Sequence, residues 1–232
     1  MVTIGYIGHS AFNVTSDGVS LLVDPYITGN PAATSTPGEF SPSTILLTHA
    51  HNDHVGDTVA IAARTGAAVI ATAELAGYLG GKGVKNAVAA NHGGTVRFEG
   101  GSTKFVPAWH TSSYFDDELQ TNVAPGVPAG HVVRVGGKTI YFAGDTCLFG
   151  DMRLIGDEGL DVAVIPIGDH FTMGPADAVR AVEFLRPRIV IPCHYNTFPP
   201  IRQDGAAFKE TVEAKTGARC VVLEPGESFD VD

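Results

Sequence analysis

Short apolar runs rich in Val, Ile, Thr and aromatic residues recur along the whole chain, broken by Gly, Pro, Asn and Asp. Runs of this length between such breakers predict many short strands rather than a helical bundle. Strands are expected near 2–7, 11–16, 19–24, 44–48, 68–71, 95–98, 103–107, 131–135, 138–143, 161–166, 188–192 and 219–223. Helical spacing lies between some of them, at 57–65, 74–79, 175–185 and 206–215. The third is the clearest: Pro175 and Asp177 suit a helix start, Ala178, Val179, Val182 and Leu185 recur at helical spacing, and Pro187 stops it. Gly217 ends the fourth. In each half strands come first and helices follow, a pattern satisfied by two sheets packed face to face with helices on the outer faces. The expectation is an α+β fold of four layers, αββα. A length of 232 residues fits one sheet-rich domain over 1–232, since such domains run to about 200–250 residues.

Composition narrows the class. Hydrophobic residues make up 44% of the chain and charged residues only 17%, against a usual charged fraction of about 25%, which excludes a disordered chain. The net charge of −10 argues against a nucleic-acid binder, which needs a basic stripe to displace counterions from phosphate. The first twelve residues have neither a basic region nor an apolar region with a cleavage site, so no signal peptide is expected. No apolar run approaches the roughly 18–20 residues that span a bilayer. Cys147, Cys193 and Cys220 are odd in number and irregularly spaced, which points to a reducing cytoplasm rather than a disulfide framework. The 28 glycines follow no period and read as tight turns. Residues 29–42 form a loop placed to lie over a site.

Nine histidines are the unusual part of the composition, and the ends of the apolar runs show where they belong. The run 44–48 ends in His49, 105–109 in His110, 139–144 in Asp145 and 188–193 in His194. Four strands thus hand a metal-capable side chain to a loop, and rigid strands present a site well. The first is followed by His51, Asp53 and His54, an HxHxDH pattern with three imidazoles and a carboxylate in six residues. Three His with an open position is the usual arrangement of catalytic zinc, whereas structural zinc closes its fourth position, commonly with thiolate. His49, His51 and His110 fill one metal; Asp53, His54 and His194 fill a second; Asp145 can bridge them. Nitrogen and oxygen donors suit zinc first, with manganese, iron and nickel admitted by the same set. Two such ions about 3.5–4 Å apart hold a hydroxide between them, generating a nucleophile near neutral pH. Asp53 is then placed to orient the water and accept its proton.

The other candidates divide between site and scaffold. His9 ends the first strand and is expected near the site, touching substrate or holding a carboxylate. His170 follows the strand 161–166 and is a candidate for substrate contact or for a turn. His92 reads as a turn residue and His131 as structural, while Cys147 and Cys193 read as packing residues. Pocket walls are expected from 29–42, 112–120, 122–128 and 196–203. There Tyr114, Phe115 and Phe198 offer aromatic surface, Asp116, Asp117 and Glu118 an acidic edge, and Arg202 an anion contact.

These residues resemble the metallo-β-lactamase superfamily, whose αββα sandwich and HxHxDH motif match both strand pattern and ligand order. The chain looks most like the superfamily's branch of small cytoplasmic metal-dependent hydrolases, related to the ascorbate-6-phosphate lactonases. The matching segments are Ile7-Gly-His-Ser-Ala-Phe12, Asp24-Pro25 with Gly29-Asn-Pro31, Thr48-His-Ala-His-Asn-Asp-His-Val-Gly-Asp57, Asn91-His-Gly-Gly94, Pro107-Ala-Trp-His-Thr-Ser-Ser113, Phe142-Ala-Gly-Asp-Thr146, Phe171-Thr-Met-Gly-Pro175 and Pro192-Cys-His-Tyr-Asn-Thr-Phe-Pro199. The resemblance implies the ligand set already read from the strand ends. It also implies a proton donor to the leaving group at His170, a position where Asn is as readily expected.

The leading expectation is a hydrolase of a small ester, lactone or phosphodiester, working on a small-molecule substrate, without a membrane, and compatible with a homo-oligomer. Two alternatives stand beside it: a non-catalytic metal-binding or sensing protein, and a metal-dependent phosphodiesterase or nuclease. Antibiotic-degrading members act outside the cytoplasm, glyoxalase II thioesterases carry an extra helical region, and RNA-processing members add a second domain. Diiron reductases of the fold have Glu where this chain has His51.

Overall fold

A computed structural model describes residues 1–232. The first half of the chain forms β1 (Val2–Gly8), β2 (Ala11–Ser16), β3 (Val19–Val23), β4 (Thr44–Leu46), β5 (Ala68–Thr72) and β6 (Ala87–Ala90). Helices α1 (Asn52–Val55), α2 (Thr58–Thr65) and α3 (Ala73–Gly81) lie among them. The second half gives β7 (Thr95–Phe98), β8 (Gly101–Pro107), a small hairpin of β9 (Tyr114–Asp116) and β10 (Thr121–Val123), then β11 (Ala129–Val135), β12 (Lys138–Phe142), β13 (Val162–Pro166), β14 (Ile189–Cys193) and β15 (Arg219–Cys220). Its helices are α4 (Met152–Gly156), α5 (Pro175–Leu185) and α6 (Gly205–Lys215), and β16 (Ser228–Val231) ends the chain.

Two seven-stranded sheets result, ordered β16-β1-β2-β3-β4-β5-β6 and β15-β14-β13-β12-β11-β8-β7. Each is antiparallel on one side and parallel on the other: β3 to β6 run parallel, as do β12 to β15. Parallel neighbours need a crossover, usually helical. Accordingly α2 and α3 connect β4, β5 and β6, while α4, α5 and α6 connect β12 to β15.

Apart from the edge strands β6 and β15, the parallel strands are largely buried on both faces, so their side chains alternate between two apolar environments. Val162 and Val164 of β13 join the core between the sheets, and Ala163 and Ile165 the core beneath α4 and α5. On β3, Leu21 and Val23 face the other sheet while Leu22 packs towards α2 and α3. Three apolar layers thus separate four layers of secondary structure, as the strand and helix pattern predicts. Leu46→Ala, at a fully buried position of the middle layer, is expected to cost about 2–5 kcal/mol. Urea unfolding measures it, and a loss under about 1 kcal/mol would mean that the inter-sheet space collapses freely around the deletion.

Several elements differ from expectation. β6 was not expected because its Ala-Val-Ala-Ala run carries little strand propensity; pairing with β5 holds it. β16 was not expected either, yet it closes the β1 edge antiparallel. β9, β10, α1 and α4 are too short to give a periodic signal. β4 stops at Leu46, two residues early, because the Thr48 amide donates to the Asp24 carboxylate at 2.9 Å instead of continuing the ladder.

Candidate metal centre

Parallel strands share a direction, so the carboxyl ends of β3 and β4 in one sheet and of β12, β13 and β14 in the other present their loops on the same rim. This is where ligands bind in parallel sheets generally. His49 leaves β4, Asp145 leaves β12 and His194 leaves β14. His110 follows β8 and His9 follows β1. His51 caps the single turn of α1, which carries Asp53 and His54. Gly56 ends that turn at φ 42°, where an added Cβ would lie 2.4 Å from the Pro25 carbonyl oxygen. Only glycine lets α1 sit so close to the end of β3.

Seven residues expected at the site, together with His9, form two donor groups. His49, His51, His110 and Asp145 make one, and His9, Asp53, His54 and His194 the other; within each, the ligand atoms lie within 4.8 Å of one another. In the first, His49 Nε2 and His51 Nδ1 are 2.9 Å apart. Asp145 touches both groups. Its Oδ2 is 3.5 Å from His110 Nε2, 4.0 Å from His49 Nε2 and 3.0 Å from His194 Nε2, while Oδ1 is 3.4 Å from His54 Nε2.

The donors fit a pair of cations. Bonds of about 2.0–2.1 Å in a tetrahedral array put ligand atoms about 3.4 Å apart, within the range these pairs span. His54 Nε2 and Asp145 Oδ1 are buried with no hydrogen bond, a costly state that a cation between them would relieve. Burial, reinforced by neighbouring imidazoles, holds the pKa of His49, His51 and His110 below the ordinary value and brings His9 down to about 4. These rings therefore offer uncharged lone pairs at neutral pH. Burial also opposes charge on His54 and Asp145. For His54 the carboxylates of Asp145 and Asp24 outweigh it and raise the pKa, and for Asp145 the imidazoles of His194 and His54 lower it.

A consequence follows for the metal-free protein. A histidine whose folded pKa lies below its unfolded value of about 6.5 destabilises the fold as pH drops under that value, until the folded pKa is passed. His54, raised, is charged in both states through this interval, and Asp53 and Asp145, lowered, weaken the fold only below about pH 4. The chelated protein should therefore lose stability steadily from pH 6.5 towards 4. Urea midpoints at pH 6.5, 5.5 and 4.5 measure this, and a flat series would contradict the buried neutral imidazoles.

A second row of groups aims the donors. Asp24, 1% exposed with φ 45°, stands just past β3. Its Oδ2 accepts from the Thr48 hydroxyl at 2.6 Å and pairs with His54 Nδ1 at 2.8 Å, while Oδ1 accepts the Thr48 amide. Thr48 Oγ1 is also 3.0 Å from His49 Nδ1. One carboxylate thus orients imidazoles of both groups, and the outer nitrogen of a ligating histidine usually has such a partner. His9 Nε2 bonds Asp53 Oδ2 at 3.1 Å and its Nδ1 meets Thr197 Oγ1 at 3.0 Å. In the sequence Asp24 stands only as part of the Asp24-Pro25 match, which assigns it no role at the site.

The remaining expected residues fall elsewhere. His170 is an exposed turn residue at φ 22° against Phe171, with no hydrogen bond to either group. Arg202 lines a separate groove with Tyr195, Gln203 and Lys209. His131 is structural, held by Leu47 O and Thr103, and His92 sits in a turn bonded to Pro128 O. Cys193 packs between the sheets, but Cys147 is exposed, because the loop after Asp145 turns outward. Asp116 is not part of an acidic edge. It is buried and anchors the hairpin through the Tyr78 hydroxyl at 2.5 Å and Lys82 at 2.9 Å.

The centre opens on a pocket of about 370 Å³ lined by Tyr26, His51, Asn52, Asp53, Ser113, Asn122 and Phe198. Three of the four expected wall segments contribute; 29–42 does not, and Tyr26, just upstream, takes its place. Asn52 docks the hairpin, accepting from the Phe115 amide at 2.9 Å and donating to its carbonyl at 3.3 Å.

A family model described as the beta-lactamase superfamily domain matches residues 20–195. A UPF0173 metal-dependent hydrolase of Thermus thermophilus is 53% identical over 232 residues, covering 100% of both chains. Igni18, a metallo hydrolase of the archaeon Ignicoccus hospitalis, superposes with a TM-score of 0.89 at 40% identity, covering 100% of this chain and 99% of its own. YhfI of Bacillus subtilis, a metallo-β-lactamase fold protein, shares the fold with a TM-score of 0.75 at 14% identity, covering 98% of each chain.

Proposed function

The chain belongs to the metallo-β-lactamase superfamily, with relatives named metal-dependent hydrolases, and from that premise we propose that it hydrolyses a small ester, lactone or phosphodiester at a centre of two divalent cations. The observation that carries this reading is Asp145, whose Oδ2 lies 4.0 Å from His49 and 3.5 Å from His110 of one donor group and 3.0 Å from His194 of the other, with Oδ1 3.4 Å from His54, beneath a pocket sized for a small molecule. His49, His51 and His110 would hold one cation, Asp53, His54 and His194 the other, with Asp145 shared. Nitrogen and oxygen donors without thiolate favour zinc, and manganese, iron or nickel fit the same set. Bound there, such cations lower the pKa of water from about 15.7 towards 7 and polarise the substrate's carbonyl or phosphoryl oxygen.

The chain's own groups supply the rest. The Asp53 side chain is 34% exposed and lines the pocket. Burial opposes its ionisation, but the hydrogen bond from His9 and the charge on His54 hold its pKa below the usual carboxylate range. An ionised carboxylate only accepts, so the proton lies on His9 Nε2, and His9 Nδ1 accepts from the Thr197 hydroxyl. His9 thereby fixes Oδ2, leaving Asp53 Oδ1 to take the proton of the attacking water and return it to the leaving group. Protonation is assigned to this carboxylate because no contact joins His170 to the centre. Three free thiols suit a reducing compartment, and we place the protein in the cytoplasm.

Assay of the purified protein against lactones, thioesters, carboxyl esters and phosphodiesters, before and after chelation, tests the reading. Turnover that chelation abolishes and zinc or manganese restores is expected. Metal-independent turnover, or none on any panel with metal bound, would sink it.

A further inference from the structure

The proposed reaction leaves open whether the substrate carries a negative charge beyond the bond that is cleaved, and the pocket bears on this. None of its seven lining residues is Lys or Arg. The cation at the hairpin root, Lys82, is held by Asp116 at 2.9 Å and Glu118 at 2.6 Å. Arg202 and Lys209 lie in a different groove. Polar recognition is left to neutral groups. The Tyr26 hydroxyl already donates to Gly29 O at 2.6 Å and so can only accept from a ligand. The Asn52 amide is taken by the Phe115 backbone, which leaves Ser113 and Asn122 facing the opening, with Phe198 as an apolar wall.

Charge bookkeeping points the same way. Asp24, Asp53 and Asp145 offset three of the four positive charges that two divalent cations bring. Because Asp53 keeps the proton of the attacking water, the single remaining positive charge would persist as negative charge develops on the ester oxygen, and it would lie at the cations rather than along the pocket walls where a second anionic group would sit. Sites that bind phosphate or carboxylate tails generally add an Arg fork or Lys, and the net charge of −10 repels anions further.

We infer that the substrate is an uncharged small carboxyl ester or lactone, recognised by neutral hydrogen bonding at Ser113 and Asn122 and by contact with Phe198. This rests on the hydrolytic reading and chooses among the classes it leaves open. The test compares p-nitrophenyl butyrate with p-nitrophenyl hemisuccinate, which share a leaving group and differ by one carboxylate, and with bis(p-nitrophenyl) phosphate, all on the zinc-loaded full chain. kcat/KM for the butyrate should exceed that for the hemisuccinate by about tenfold, the scale of one partly screened charge pair. In Asn122→Lys that ratio should narrow. Equal rates, a preference for the hemisuccinate or the phosphodiester, or a ratio that Asn122→Lys leaves untouched would each overturn the assignment.

If no ester turns over, the hydrolytic reading fails and binding decides the charge question separately. Trp109, the one tryptophan, adjoins His110, and its emission can follow titration with butyramide and with succinamate. Tighter binding of butyramide supports an uncharged ligand, and tighter or equal binding of succinamate refutes it.

Discussion

Asp145→Ala is expected to reduce bound metal from two ions per chain to one or none and to lower ester hydrolysis by more than about 10²-fold. Loss of an outer partner of a metal site costs about 10–100-fold, and Asp145 is not an outer partner. It is 3% exposed, contacts imidazoles of both donor groups, and is the one acidic side chain common to them. Without it, one group keeps only imidazoles and the other keeps Asp53. Four histidines would then crowd around an apolar methyl, and any cation bound there would lack the buried negative charge that offsets its own. Asp145→Asn preserves the shape but not the charge, so it should also fall well below the parent in metal content. Elemental analysis after gel filtration measures this, with circular dichroism to confirm that the fold persists. Two ions per chain in the alanine variant would remove Asp145 from the centre.

Asp24→Ala should both loosen the fold and weaken metal binding, although Asp24 is in neither donor group. The substitution strands the Thr48 amide and the His54 Nδ1 proton in a buried place. Each unsatisfied donor costs about 1–3 kcal/mol, so a loss of about 2–6 kcal/mol is expected. Metal affinity should drop by about 10–100-fold as His54 and His49 lose their aim. Asp24→Asn separates the two effects. Its carbonyl can still accept from Thr48, but its NH2 then faces His54 Nδ1, which must give up its proton and accept. The proton moves to His54 Nε2, the atom facing Asp145, and blocks it as a donor. Asp24→Asn should therefore lose less stability than Asp24→Ala while binding metal at least as poorly. Equal metal affinity in Asp24→Asn and the parent would show that Asp24 does not set the His54 tautomer.

The same residues show what was legible in the sequence. The grouping of the side chains that end strands is legible because two parallel strand sets bring their carboxyl ends to one rim, and HxHxDH stands on that rim. The four layers were visible because continuous apolar runs divide their side chains between two cores. Asp24 was not, since its role depends on a positive φ that carries it across from β3 to the end of β4, and no spacing rule encodes that. His9 was placed near the site, but its bond to Asp53 spans 44 residues and depends on how β1 sits against α1. The acidic stretch 116–118 misled for a simple reason: adjacent carboxylates look alike in sequence, yet Asp116 is buried against Tyr78 and Lys82 while Asp117 and Glu118 are exposed. Arg202 misled because the short 3-10 turn at Pro199–Ile201 redirects the chain into another groove.

The most direct measurement is a titration of zinc into the chelated protein, following bound metal and the rate of p-nitrophenyl butyrate hydrolysis on the same samples. A centre of two cations sharing Asp145 predicts activity that keeps rising with the second equivalent and levels at two ions per chain. Activity complete at one equivalent, hydrolysis indifferent to zinc, or a chain that retains no zinc at all would contradict it.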